Sequence, residues 1–228
     1  MVLHFNKKLE DFDYLLCFDL AKFETGVSLI KIKDLSSPEL QKTYQISVDK
    51  KSEEPFAAFY GYLIQLFTDI NKEVGDLSKM LIIREKQPTG FNVTTTISTL
   101  QALAGVHAIL DVFIGQMGLI EYESGIHASS IKAWARRETG IDKPQKEDIK
   151  RFLETIYPTL KEEKITLDIS DSVALAQCLI KEKWNLDLKE IIKQERKHLK
   201  ELKSVNGQKK QQEKIDILLE KLIKGEQS

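Results

Sequence analysis

At 228 residues and a formal net charge of −1, the chain is long enough for one well-buried core and too short for two full domains. That charge balance argues neither for nor against a nucleic-acid partner, which only the distribution of charge can decide. Cys17 and Cys178 lie in apolar segments and read as reduced core residues, so a disulfide scaffold is excluded. Met1 to Asp13 carry no signal-peptide stretch, and the longest apolar run, Ile97 to Ile120, is interrupted by Gln101, His107, Asp111 and Gln116. The expectation is a cytoplasmic protein with no membrane span.

Tyr14 to Leu20 is short, apolar and β-rich, which predicts a strand buried on both faces. Gly26 is expected to mark a turn, after which Val27–Ile32 and Thr43–Val48 alternate as two further strands. Pro55 opens a helix to about Val74, with Phe56, Phe59, Tyr60, Leu63, Ile64 and Phe67 at helical spacing, and Gly75 stops it. Leu81 to Glu85 follows as a fourth strand, and Pro88 with Gly90 mark a loop. A long, largely buried helix is predicted from about Thr96 to Met117, bounded by Gly118. Leu119–Tyr122 is then a short fifth strand.

Ser124 to Gly140 has no clear period and reads as less regular. Pro144 starts a helix with Ile149, Phe152, Leu153 and Ile156 on one apolar face, and Pro158 ends it. The last core helix is expected to open near Ser170 and to reach about Lys183. The predicted class is α/β: three strands in a meander, then strands alternating with helices, giving a mixed five-stranded sheet flanked by helices. Residues 1–184 are assigned to this domain and 185–228 to a C-terminal helical extension. In that tail Leu188, Ile192, Leu199 and Leu202 lie at helical intervals. Asn206-Gly207 is expected to break the helix before Ile215, Leu218, Leu219 and Leu222 resume the pattern. The result is a helical hairpin whose lysine-rich face is open to three readings: a solvated surface, a dimerisation arm or a DNA-contacting arm.

Four carboxylates stand at the ends of apolar segments, where a buried charge is costly unless a cation meets it. Asp19 ends Tyr14-Leu15-Leu16-Cys17-Phe18-Asp19, and Glu85 ends Met80-Leu81-Ile82-Ile83-Arg84-Glu85. Asp168 and Asp171, three apart, precede Ser172-Val173-Ala174-Leu175-Ala176 and can point at one spot. Alternation puts Leu15, Cys17 and Asp19 on one face of the first strand, and Leu81, Ile83 and Glu85 on one face of the fourth. Four such acids together would raise one another's pKa unless a metal neutralised them. Mg²⁺, a hard cation that prefers oxygen ligands, is the simplest occupant. Two such ions about 4 Å apart suit phosphodiester hydrolysis without a nucleophilic side chain. Taken singly, each acid also has a structural reading, as a turn residue, a lysine partner or a helix cap.

In these segments the sequence resembles the RuvC-type Holliday-junction resolvases of the ribonuclease H-like superfamily. The likeness covers about residues 14–183. It is carried by Cys17-Phe18-Asp19 with Gly26 following, by Ile82-Ile83-Arg84-Glu85, and by Asp168-Ile169-Ser170-Asp171-Ser172-Val173-Ala174-Leu175-Ala176. Ile131-Lys132-Ala133-Trp134, followed by Gly140 and Lys143-Pro144-Gln145-Lys146, is similar to the family's basic strand-loop-helix segment. The sequence departs from the pattern at Leu20-Ala21, where many members have a small residue and then glycine, and at Arg84, where an apolar residue is usual. Arg84 is free, on sequence alone, to pair with Glu85 or to face solvent.

The resemblance implies a homodimeric endonuclease that nicks two opposed strands of a four-way DNA junction and leaves 5′-phosphate and 3′-hydroxyl ends. It implies two Mg²⁺ ions per site, replaceable by Mn²⁺, on Asp19, Glu85, Asp168 and Asp171. Lys132 and Lys143 align with basic positions near the scissile phosphate, and Phe91 with an aromatic that stacks on junction bases. Lys132, Arg136, Arg137, Lys143, Lys146, Lys150 and Arg151 form a basic cluster suited to phosphate contacts that read shape rather than bases. The bland account of that cluster is a set of solvated helix faces. His127 reads as incidental and His107 as a satisfied core residue.

Other readings stand beside this one. A nuclease for other branched DNA or for RNA would keep all four acids, and a non-catalytic junction-binding protein would keep the fold. An actin-like ATPase half needs glycines after its first acid, and Asp19-Leu20-Ala21-Lys22-Phe23 lacks them.

Overall fold

The computed structural model describes residues 9–34, 37–86, 96–122, 125–201 and 205–224. Three antiparallel strands come first: β1 (Tyr14–Asp19), β2 (Glu24–Lys31) and β3 (Glu39–Ser47). Helix α1 (Pro55–Val74) leads to β4 (Met80–Arg84), and α2 (Ile97–Met117) to the short β5 (Ile120–Glu121). Four more helices follow: α3 (Ala128–Thr139), α4 (Lys146–Ile156), α5 (Pro158–Glu162) and α6 (Leu167–Glu201), and then α7 (Val205–Lys224). The sheet order is β3-β2-β1-β4-β5, with β4 parallel to both β1 and β5. This is the mixed five-stranded sheet flanked by helices that the pattern predicts.

β1 sits at the centre because Leu15, Leu16, Cys17 and Phe18 are buried to zero exposure, and only a central strand covered on both faces hides a continuous apolar run. Its even-numbered side chains, Leu16 and Phe18, join Met80, Ile82, Val27 and Leu29 in a core packed by Phe59, Leu63 and Phe67 of α1 and by Val106, Leu110 and Phe113 of α2. Phe67 links both partners, with ring centroids 6.5 Å from Phe18 and 4.9 Å from Phe113. Each such ring removed from water contributes about 1.5–3 kcal/mol. α1 opens on Pro55 and closes at Gly75, whose φ of 77° suits the left-handed stop that glycine adopts freely. α2 is long and apolar enough to cross a membrane by length and composition, yet one side of it forms this core, and Asp111 is held in an ion pair.

The opposite face of the sheet belongs to the start of α6. Gly26 lies inside β2, opposite Asp19, rather than in a turn. A Cβ built there would fall 2.1 Å from the carbonyl oxygen of Asp168 and 2.5 Å from the amide nitrogen of Ile169. Glycine is what lets this helix lie against the strand.

Four further expectations change. Residues 128–139, expected to be irregular, form α3; its buried stripe is only Trp134 and Ala135, too narrow to give a clear period. A short helix, α5, follows Pro158, because proline is well suited to a first turn. α6 opens before Ser170, at Leu167, with Thr166 Oγ1 accepting the Ile169 amide at 3.3 Å. It then runs to Glu201, well past Lys183. Asn206 and Gly207 fall in the first turn of α7, where no intrahelical carbonyl precedes them and a poor helix former costs least.

Residues Met1–Ala176 form one unit and Gln177–Ser228 a second, so the boundary lies within α6. In the second unit Ile192 and Ile215 are buried. Lys214 reaches Glu195 at 2.5 Å and Gln211 donates to the same carboxylate, joining α6 to α7.

Candidate active site

Backbone register brings the first two acids together. β1 and β4 run parallel with Cys17 beside Ile83 and Phe18 beside Arg84, and the next step along both strands is Asp19 beside Glu85. Glu85 is fixed just beyond β4 by a bridge to Ile126: Ile126 N donates to Arg84 O at 3.1 Å and Lys86 N to Ile126 O at 2.8 Å. The same bridge feeds directly into α3, which carries Lys132. The second pair comes from α6, where the Gly26 contact seats Asp168 against the strand that pairs with Asp19.

All four acids meet electrostatically. Burial first, and then Asp171, Glu85 and Asp168, push the Asp19 carboxyl up to about 7, with Lys146 opposing them. Glu85 is raised by burial and by Asp171, against Lys146 and Lys132. Asp171 is raised by burial and by Asp168, against its hydrogen bond and ion pair with Lys146. Each of the three titrates high because half-buried like charges disfavour ionisation. Lys146 Nζ is the cation in contact, paired directly with Asp171 Oδ2. Burial pulls its ammonium down while Asp171, Asp19 and Asp168 outweigh that and hold it protonated.

Among the described residues no three His, Cys, Asp or Glu side chains form a ready-made metal cage. The donor chemistry nevertheless fits Mg²⁺. Every acid is a hard oxygen donor, and their mutual repulsion is the kind a divalent cation relieves.

The basic residues divide by position. Lys132 is exposed on α3 and lies within the field of Glu85. Arg136, on the same helix, pairs with Asp142 at 2.6 Å, and Arg137 is exposed. Lys143 stands exposed in the loop before α4, its carbonyl accepting from Gln145 Nε2 at 3.1 Å. Lys146 is the first residue of α4 and faces the acids; the sequence placed it among the DNA contacts and did not foresee this pairing. Phe91 lies outside the described residues. His127 is exposed ahead of α3.

Arg84 settles on neither option left open by the sequence. It turns to the α2 side of the sheet, where Nε reaches Glu121 at 2.5 Å, Nη2 pairs with Asp111, and Nη1 meets His107 Nδ1 and O, both at 3.2 Å. Burial and then the neighbouring guanidinium lower His107 to about 4, leaving it the neutral core residue the sequence suggested.

No protein-family model matches the chain, and no curated protein matches it in sequence. Solved structures do match in fold. RuvC of T. thermophilus in complex with Holliday junction substrate superposes with a TM-score of 0.54 at 12% identity, covering 72% of this chain and 91% of its own. A second Thermus thermophilus RuvC structure gives 0.51 at 13% identity, over 72% and 92%. The yeast mitochondrial Holliday junction resolvase gives 0.49 at 11%, over 73% and 77%. With a central β1 whose acid meets one after β4 and two on a later helix, this chain has the ribonuclease H-like fold of the RuvC-type resolvases.

Proposed function

We propose that this protein is an Mg²⁺-dependent, structure-selective endodeoxyribonuclease that resolves four-way DNA junctions by paired symmetric nicks. The observation that carries this reading is the meeting of Asp19, Glu85, Asp168 and Asp171 at the C-terminal ends of β1 and β4 in a RuvC-like fold, with Lys132 and Lys146 in their field. Asp19, Glu85, Asp168 and Asp171 would hold the metal, as the pair of ions suited to a phosphodiester, with Mn²⁺ able to replace it.

When bound, Mg²⁺ supplies Lewis acidity and a more acidic water. The chain's own residues do the rest. Asp19, whose carboxyl is pushed up to about 7 by burial and by its acidic neighbours, would be held ionised beside a divalent cation. Lys132 places an ammonium beside Glu85, where a scissile phosphate oxygen would be held against the acids. Arg136, Arg137, Lys143 and Lys146 add phosphate contacts that orient the backbone without reading bases.

A homodimer fits the twofold character of a junction.

The test is a panel of labelled substrates with purified protein and Mg²⁺: a four-way junction, a three-way branch, linear duplex and an RNA–DNA hybrid. Symmetric, ligatable nicks in the four-way junction alone are the expected result. Cutting of every branch or of the hybrid would keep the nuclease and reassign its substrate. Tight binding without cleavage would identify a junction-binding protein instead.

A further inference from the structure

The Lys146–Asp171 contact is unusual in its setting. Asp171 belongs to a set of four acids, and this lysine is the one cation in direct contact with any of them among the described residues. Its placement is built rather than incidental. Lys146 opens α4 behind a capping box in which Gln145 and Asp148 bond each other's backbone. One turn on, Lys150 Nζ donates to Ile165 O at 2.6 Å, just ahead of α6. Lys146 and Lys150 are four apart and share a helix face, so the hydrogen bond of Lys150 aims Lys146 at the N-terminal part of α6. Trp134 of α3 packs edge-on against Phe152, with centroids 6.1 Å apart, holding α4 from its other side.

The two ends of the ion pair differ in freedom. The Asp171 side chain is 20% exposed and the Lys146 side chain 56%. The carboxylate is therefore fixed in the fold, while most of the lysine stem lies in water and can swing away at little cost.

We propose that Lys146 is an internal counter-ion that occupies the acid cluster until metal arrives and is then displaced from Asp171 toward the bound phosphate. This rests on the metal-site reading above and deepens it. A single ammonium cannot neutralise four carboxylates, so a divalent cation displaces it once present in excess. Until then Lys146 keeps the acids from repelling one another. Metal affinity is thereby lowered, and the displaced charge becomes available to the DNA backbone only in the loaded site.

The experiment is Mg²⁺ titration by calorimetry on the full chain without DNA, for wild type, Lys146→Met and Asp171→Asn, with thermal melts with and without Mg²⁺. Methionine keeps the length and removes the charge. The account expects Lys146→Met to bind Mg²⁺ on the order of tenfold more tightly, to melt lower than wild type without metal, and to gain more from adding it. Asp171→Asn should bind more weakly than wild type. Equal or weaker Mg²⁺ binding by Lys146→Met, with wild type binding normally, would overturn the displacement and leave the metal site standing. Absence of Mg²⁺ binding in wild type and Lys146→Met alike would overturn both.

Discussion

Gly26 and Asp168 touch where a side chain could not exist: a Cβ on Gly26 would stand 2.1 Å from the Asp168 carbonyl oxygen. Because Gly26 is paired with Asp19 across the β1–β2 ladder, this one contact sets how closely the two acids of α6 approach the acid of β1. A methyl group here would push helix and strand apart.

Gly26→Ala is therefore expected to cost about 1–3 kcal/mol of stability through overpacking, and to reduce cleavage far more than that loss explains. Cleavage measured well below the melting temperature separates the two effects. Gly61→Ala is the control: nothing lies within 4 Å of a Cβ there, and alanine in a helix interior should stabilise by about 0.5–1 kcal/mol.

The raised acids give a pH dependence with a definite sign. Asp19 moves from 3.8 unfolded to about 7 folded, so its protonated form is favoured by folding. Its contribution is complete below about pH 3.8 and is lost as pH rises through about 7. Glu85 and Asp171 are raised as well and act in the same direction. His107, lowered from 6.5 to about 4, acts oppositely: its contribution is present above 6.5 and lost as pH falls through about 4. Melting curves in chelator should thus fall as pH rises from about 4 to about 7, with His107 offsetting part of the fall below 6.5, and more shallowly for Asp19→Asn. The gain in melting temperature on adding Mg²⁺ should grow over the same range. A gain independent of pH would contradict the shared burial of these carboxylates.

Lys132 and Lys143 separate on geometry. Lys132 lies within the field of Glu85, so Lys132→Ala is expected to lower the single-turnover cleavage rate about 10- to 100-fold with modest loss of junction affinity. Lys143, in the loop before α4, is expected to act through backbone contact: Lys143→Ala should weaken binding and flatten its salt dependence. Rates and salt-dependent affinities for both variants check this. Unchanged values for both would remove them from the site.

The strands and the acids were legible in the sequence because both depend on local chemistry. An apolar run ending in a carboxylate says buried strand with a charged tip, and Asp19 does end β1 while Glu85 stands one residue beyond β4. What was not legible depends on partners distant in the chain. Gly26 looked like a turn because nothing near it reveals a helix packing from residue 168. Arg84 could not be assigned without Asp111 and Glu121, and α3 was hidden by a buried stripe of only two residues. The pairing of Lys146 with Asp171 spans 25 positions and depends on the angle of α4, which its hydrogen bond through Lys150 sets. Periodicity carries no signal for such contacts.

The central claim, that four carboxylates form one metal-dependent hydrolytic centre, is tested most directly by single-turnover cleavage of a labelled four-way junction in Mg²⁺ by wild type, Asp19→Asn and Asp171→Asn, with binding measured in parallel. The account predicts that each substitution abolishes nicking while junction affinity stays within a few-fold of wild type. Cleavage that persists in either variant, or binding lost in step with cleavage, would contradict it.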